Sequence, residues 1–138
     1  GLNLADGLAK MSVVHQGTNQ ISRYALHAHH SLAEMTFQGN AILYSPRNGI
    51  VVHNSRVHVT KNVVLGADGT GIFLEDSTET APVDQNFLIG NGGGSRGGDD
   101  GRFSSSGGVD MAHGGFGIWA RGVYAMISNN QAEGHFGV

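Results

Sequence analysis

The chain has 138 residues, 39% of them hydrophobic, with eight Lys and Arg against eleven Asp and Glu, a formal charge of −3 and no cysteine. That length suits one domain, or part of one, with a real core, while the weak acidity and the lack of any Lys/Arg run exclude the electrostatic footprint of a nucleic-acid binder; disulfides and thiolate metal sites are excluded outright. Glycine supplies 23 residues, more than twice the average share of about 7% and without collagen's three-residue period, so the chain turns often and tightly.

The opening GLNLADGLAK lacks the charged start and apolar centre of a signal peptide, and no stretch approaches the roughly 18 apolar residues of a membrane span. The first strand-like run is RYALHAHH, from Arg23 to His30. It is followed by FQGNAI with Asn40, and then by GIVVHNS from Gly49 to Ser55. The frame Gly-Ile-apolar-apolar-polar-polar-Ser returns as GIFLEDS from Gly71 to Ser77, 22 residues on, and Asn62 precedes Gly71 by the same nine residues that separate Asn40 from Gly49. Asn86 continues the series 24 residues later, and Asn129 or Asn130 resumes it after a glycine-rich insertion over 91–116. Between these landmarks stand short apolar runs, Val51–Val52, Val57 and Val59, Val63–Val64, Ile72–Leu74 and Phe87–Ile89, each bounded by Gly, Asn, Asp or Ser. They read as strands of three to five residues. The closing GHFGV resembles a strand just starting, so residues 1–138 are expected to be part of one domain in a longer chain.

A period of 22–24 residues lies in the solenoid range. The expected fold is all-β, a right-handed parallel β-helix of the pectin-lyase-like kind, in which adjacent coils stack in register about 4.8 Å apart. Asn suits the bends because it tolerates left-handed backbone and its amide can pair with the coils above and below. An antiparallel sandwich also places strands every 8–12 residues, but gives no reason for the 22-residue frame. Exposed coil ends are expected to pair with further coils or other copies.

Superposing RYALH, GIVVH, GIFLE and GIWAR puts His27, His53, Glu75 and Arg121 in one column beside an apolar column of Leu26, Val52, Leu74 and Ala120. Ionisable side chains stacked in successive coils are costly without partners or a purpose. The insertion reads either as a surface excursion or as a loop that carries Asp99, Asp100, Asp110 and His113 over this wall.

Together RYALHAHH, NGIVVHNS, VVLGADGTGIFLED, VDMAHGGFGIW and MISNNQAEG resemble the parallel β-helix region of the G8-domain protein family over about Arg23 to Gly134. The resemblance implies an extracellular or cell-surface protein of the kind that binds and depolymerises hyaluronan, and it carries over Arg23, His27, His29, His53, Glu75, Asp76 and His113. The chain departs from the family pattern at Ala28, Ser77 and Gly114, the last standing where a carboxylate is expected.

His27 and His29 alternate along a strand and so share a face, with Ala28 opposite and His30 turned away. With His53 they could hold a divalent metal ion, and with Glu75, Asp76 and His113 they could form a metal-free acid/base site; a hydrogen-bonded polar ladder with no ligand is the third reading. Arg23 and Arg121 suit a uronate carboxylate. Trp119 could stack on a sugar, and Asp110 could contact one. His15, His58 and His135 are isolated and read as surface or structural. The functional expectation is binding, with hydrolytic or lyase cleavage, of an acidic polysaccharide; the alternative is a non-catalytic structural or adhesion module.

Overall fold

The computed structural model describes residues 24–92 and 116–135. Twelve strands follow one another in four sets of three: β1 Leu26–His29, β2 Met35–Gln38 and β3 Ala41–Leu43; β4 Ile50–His53, β5 Val57–Thr60 and β6 Val63–Leu65; β7 Ile72–Leu74, β8 Val83–Asp84 and β9 Phe87–Ile89; β10 Ile118–Ala120, β11 Ile127–Ser128 and β12 Gln131–Glu133. Each set is one rung. Corresponding strands pair in parallel to give three four-stranded sheets, β1-β4-β7-β10, β2-β5-β8-β11 and β3-β6-β9-β12. The described residues contain no helix, and hence none long and apolar enough to cross a membrane. The architecture is all-β and solenoid-like.

One apolar cluster draws on all three sheets: Ile50, Val52, Ile72 and Leu74 from the first, Val57, Val59 and Val83 from the second, Ile42, Val64 and Leu88 from the third. These alternate with residues facing out, as strands require, and most are at or near zero exposure. The recurring glycine of the Gly-Ile frame has a steric cause. A Cβ on Gly71 would come within 2.7 Å of the Gly117 carbonyl and 2.8 Å of Asn91 Nδ2, and one on Gly117 within 2.8 Å of the Ala132 Cβ. There the third sheet hands over to the first with no room for a side chain.

The asparagine series forms a ladder. Asn40 Nδ2 donates to Asn62 Oδ1 at 2.8 Å, Asn62 Nδ2 to Asn86 Oδ1 at 2.9 Å, and Asn86 Nδ2 to Asn130 Oδ1 at 2.9 Å. Each lower amide oxygen also accepts the backbone N–H of the residue above it. Only one of the two expected reasons for asparagine applies here. The left-handed bend falls one residue earlier, on Gly39, Lys61, Gln85 and Asn129, while the ladder residues serve by amide pairing alone.

The alignment of the first rung needs correction. Leu26 pairs with Ile50, so His27 stands over Val51, Ala28 over Val52 and His29 over His53. His29, not His27, belongs to the polar column, and Ala28, not Leu26, to the apolar column beside it. The first step is 24 residues and the second, Ile50 to Ile72, is 22. The insertion expected over 91–116 falls between β9 and β10, and its residues 93–115 lie outside the described residues, as do Arg23, Asp99, Asp100, Asp110 and His113.

Candidate functional site

The outward face of the first sheet carries two columns. The inner column of this face is His27, Val51, Phe73 and Trp119, in register from β1 to β10. Val51 and Phe73 are buried there, with Tyr24 and Trp119 packed against them. Trp119 stacks obliquely on Phe116, with ring centroids 4.6 Å apart, and Tyr24 meets His27 edge-on at 5.0 Å. Ile118 and Ala120, on either side of Trp119, face the core instead. Two polar atoms in this column, His27 Nε2 and Trp119 Nε1, are buried without a hydrogen-bond partner among the described residues. Burial first, and then the neighbouring imidazoles of His29 and His53, hold His27 below the ordinary imidazole range.

The second column lies at the strand ends, where the chain leaves the sheet: His29, His53, Glu75 and Arg121. Glu75 follows β7 directly, its N–H on the Val52 carbonyl at 2.9 Å, which extends the parallel register and sets it beside His53. His53 is gripped from two sides. Its Nδ1 lies 3.2 Å from Glu75 Oε2 and its Nε2 lies 3.1 Å from Asp76 Oδ2. The three side chains are 25%, 27% and 40% exposed, so the cluster is open to solvent without being loose. A neutral imidazole donates one hydrogen bond and accepts one, so its two nitrogens cannot both donate to the flanking carboxylates.

The turns after these strands position the remaining groups. His30 takes a left-handed φ of 50°, which ends β1 and swings its ring back toward the column, whereas strand alternation predicts that it turns away to the face shared with Ala28. Its centroid lies 4.3 Å from that of His29 and 4.8 Å from that of His53, and His29 and His53 are 4.5 Å apart. His27 meets only the edge of this group, 5.4 Å from His29. In the next rung Asn54 takes the same left-handed geometry at φ 44°, and its amide nitrogen reaches His30 Nδ1 at 3.3 Å.

Glu79, which sequence reasoning missed, organises the turn that carries Asp76. Its side chain is buried at 3% exposure, and Oε1 accepts the backbone N–H of Asn54 at 2.8 Å and of Asp76 at 3.2 Å. One carboxylate thus ties the turn after His53 to the turn after Glu75. Nothing in a lone turn glutamate signals that role in a sequence. Gly122 lets the following turn lie against this one, since a Cβ there would come within 3.0 Å of the Ser77 backbone. Arg121 directs Nη1 to the Glu75 backbone carbonyl at 3.4 Å, and leaves the Glu75 carboxylate to His53.

The two described histidines read as isolated are structural. His58 Nε2 meets Asp84 Oδ1 at 2.6 Å on the second sheet, and His135 Nδ1 accepts the Asn91 N–H at 3.1 Å. Of the expected site residues, the fold therefore gathers His29, His53, Glu75, Asp76 and Arg121, places His27 and Trp119 in the adjoining column, and adds His30. No protein-family profile, curated protein or solved structure matches the chain.

Proposed function

We propose that this chain is a stretch of right-handed parallel β-helix from an extracellular or cell-surface protein related to the G8-domain family, and that the outward face of its first sheet binds and depolymerises an acidic polysaccharide of the hyaluronan or uronate kind. A crossover between parallel strands of one sheet is right-handed in about 98% of such connections, which favours that hand here. The observation that carries the functional reading is His53 held between Glu75 and Asp76 beside an aromatic column that ends in Trp119.

Chemically, the column pairs a proton carrier with two carboxylates, one of which can give or take a proton at a glycosidic oxygen while His53 fixes its orientation. Trp119 and Tyr24 supply flat apolar surface for a sugar ring. Arg121 at the end of the polar column is an exposed cation for a uronate carboxylate. Hydrolysis requires a second carboxylate about 5–9.5 Å from the acid, a role for Asp76 or Asp110; elimination requires a base at the sugar C5 and a neutralised uronate, roles for Glu75 or His113 and for Arg121.

The test is incubation with hyaluronan, alginate and pectin, followed by assay for new reducing ends and for unsaturated products absorbing in the ultraviolet. The parent is expected to act on at least one, and Glu75→Gln to keep the fold and lose the activity. The second reading is a non-catalytic structural or adhesion module, favoured by the way His53, Glu75 and Asp76 satisfy one another within the protein. Neither binding nor product across the panel, from folded protein, overturns the polysaccharide reading in favour of the module.

A further inference from the structure

We propose that His29, His30 and His53 form a site for a divalent transition-metal ion of the zinc type, with Asp76 as fourth ligand and Glu75 holding His53 from behind. The inference is independent of the polysaccharide reading. It stands on the placement of three imidazoles from two rungs, each offering one nitrogen, with those nitrogens all within 4.8 Å of one another.

A tetrahedral zinc ion takes imidazole nitrogens at about 2.0–2.1 Å, which sets them about 3.3–3.4 Å from one another. The three imidazole nitrogens must therefore draw together by about 1.5 Å at most. His29 and His30 are exposed, so rotation of their rings suffices and no strand has to move. The backbone already does the larger part of the work: parallel register stacks His29 on His53, and the left-handed turn brings His30 to the same side.

The carboxylates complete the set. Asp76 Oδ2 lies 3.1 Å from His53 Nε2 and Glu75 Oε2 lies 3.2 Å from Nδ1. An ion bound at Nε2 takes the place of one donor, Asp76 turns onto the ion, and Nδ1–H stays on Glu75. That is the carboxylate–histidine–metal arrangement that fixes tautomer and ring orientation in metal sites. Three nitrogens and one oxygen favour zinc or its first-row neighbours over magnesium or calcium, which prefer all-oxygen sets. Glu79 ties the turn that carries Asp76 to the turn that carries Asn54, whose amide in turn reaches the His30 ring.

Full-length protein made without a polyhistidine tag and stripped with EDTA is titrated calorimetrically with zinc chloride, and the loaded sample is examined by zinc X-ray absorption. Saturable uptake of one zinc per chain is expected, with a first shell of imidazoles at about 2.0–2.1 Å. His30→Asn, which tolerates the left-handed turn, and Asp76→Asn are each expected to weaken binding tenfold or more while keeping the circular dichroism of the parent. His58→Ala, on the second sheet, is expected to leave zinc affinity unchanged. No saturable uptake by the parent, unchanged affinity in folded His30→Asn, or equal weakening by His58→Ala overturns the site. Zinc binding is read without any sugar present, so its failure and a failure of polysaccharide cleavage are separate results.

Discussion

Replacing Asn62 by alanine tests what fixes the register that builds the site. Asn62 is 1% exposed, and its amide makes four hydrogen bonds: Oδ1 accepts the Asn40 N–H at 3.0 Å and Asn40 Nδ2 at 2.8 Å, while Nδ2 donates to the Phe37 carbonyl and to Asn86 Oδ1, both at 2.9 Å. Truncation deletes all four. Asn86 Oδ1 keeps the Asn62 backbone N–H at 2.9 Å and the Phe37 carbonyl stays within the β2–β5 ladder, so the group stranded is the Asn40 N–H. A net hydrogen bond is worth about 1 kcal/mol and a stranded buried group costs about 1–3 kcal/mol, which gives a loss of about 3–5 kcal/mol. At about 3–5 °C per kcal/mol for a chain of this length, the melting point falls by about 10–20 °C. Asn40→Ala at the first rung removes a single side-chain donor to Asn62 Oδ1 and is expected to cost about 1 kcal/mol. Asn62→Asp keeps the volume but replaces the donor with a charged acceptor facing two acceptors, so it is expected to cost at least as much as alanine. Urea and thermal denaturation followed by circular dichroism measure all three. Equal losses in Asn62→Ala and Asn40→Ala, or a loss below about 1 kcal/mol at Asn62, would refute the ladder as the source of register.

Gly49→Ala drives a Cβ into the fully buried Val64 side chain and to within 2.6 Å of the Gly71 carbonyl, and overpacking of that kind costs about 1–3 kcal/mol or more; Gly39→Ala meets open space and pays only for its left-handed φ of 68°, so the melting point is expected to fall further in the first variant than in the second. The Asp84 carboxyl is held below its ordinary value, chiefly by the hydrogen bond from His58 and then by that from Gln85. A depressed carboxylate adds stability that is complete above the unfolded value of 3.8 and is lost as pH falls through the lower folded value; acid titration of the melting point is therefore expected to show a steeper fall below about pH 4 in the parent than in Asp84→Asn, and identical slopes would contradict it.

Much of the architecture was legible because a solenoid writes its period into the chain. The Gly-Ile frame and the asparagine offset place Asn40 on Asn62 and His53 beside Glu75. The first rung was misaligned because RYALH contains no glycine, and glycine was the marker that located the start of the strand in the later rungs. A two-residue slip preserves side-chain alternation, so the alignment keeps His27 and His29 on the correct face but sets His27 in the column that belongs to His29. His30 was lost for a different reason: alternation describes a strand, and the strand ends at His29. Glu79 acts through burial and two backbone contacts, neither of which leaves a trace in residue order.

The two ladders of this protein obey different rules. An amide is donor and acceptor at once, so a column of identical asparagines can satisfy itself rung upon rung, and Asn40, Asn62, Asn86 and Asn130 do so. Imidazole, carboxylate and guanidinium cannot propagate in that way: identical charges stacked at about 4.8 Å repel, and a device needed only for register would use the amide again. The strand-end column instead changes residue at almost every rung, from His29 and His53 to Glu75 and Arg121. Its members do not simply neutralise their neighbours, because Arg121 turns to the Glu75 backbone carbonyl and leaves both carboxylates on His53. The result gathers the titratable groups of three rungs around one imidazole, beside an aromatic column and open to solvent, and that concentration, more than any single contact, supports reading the face as a site of chemistry.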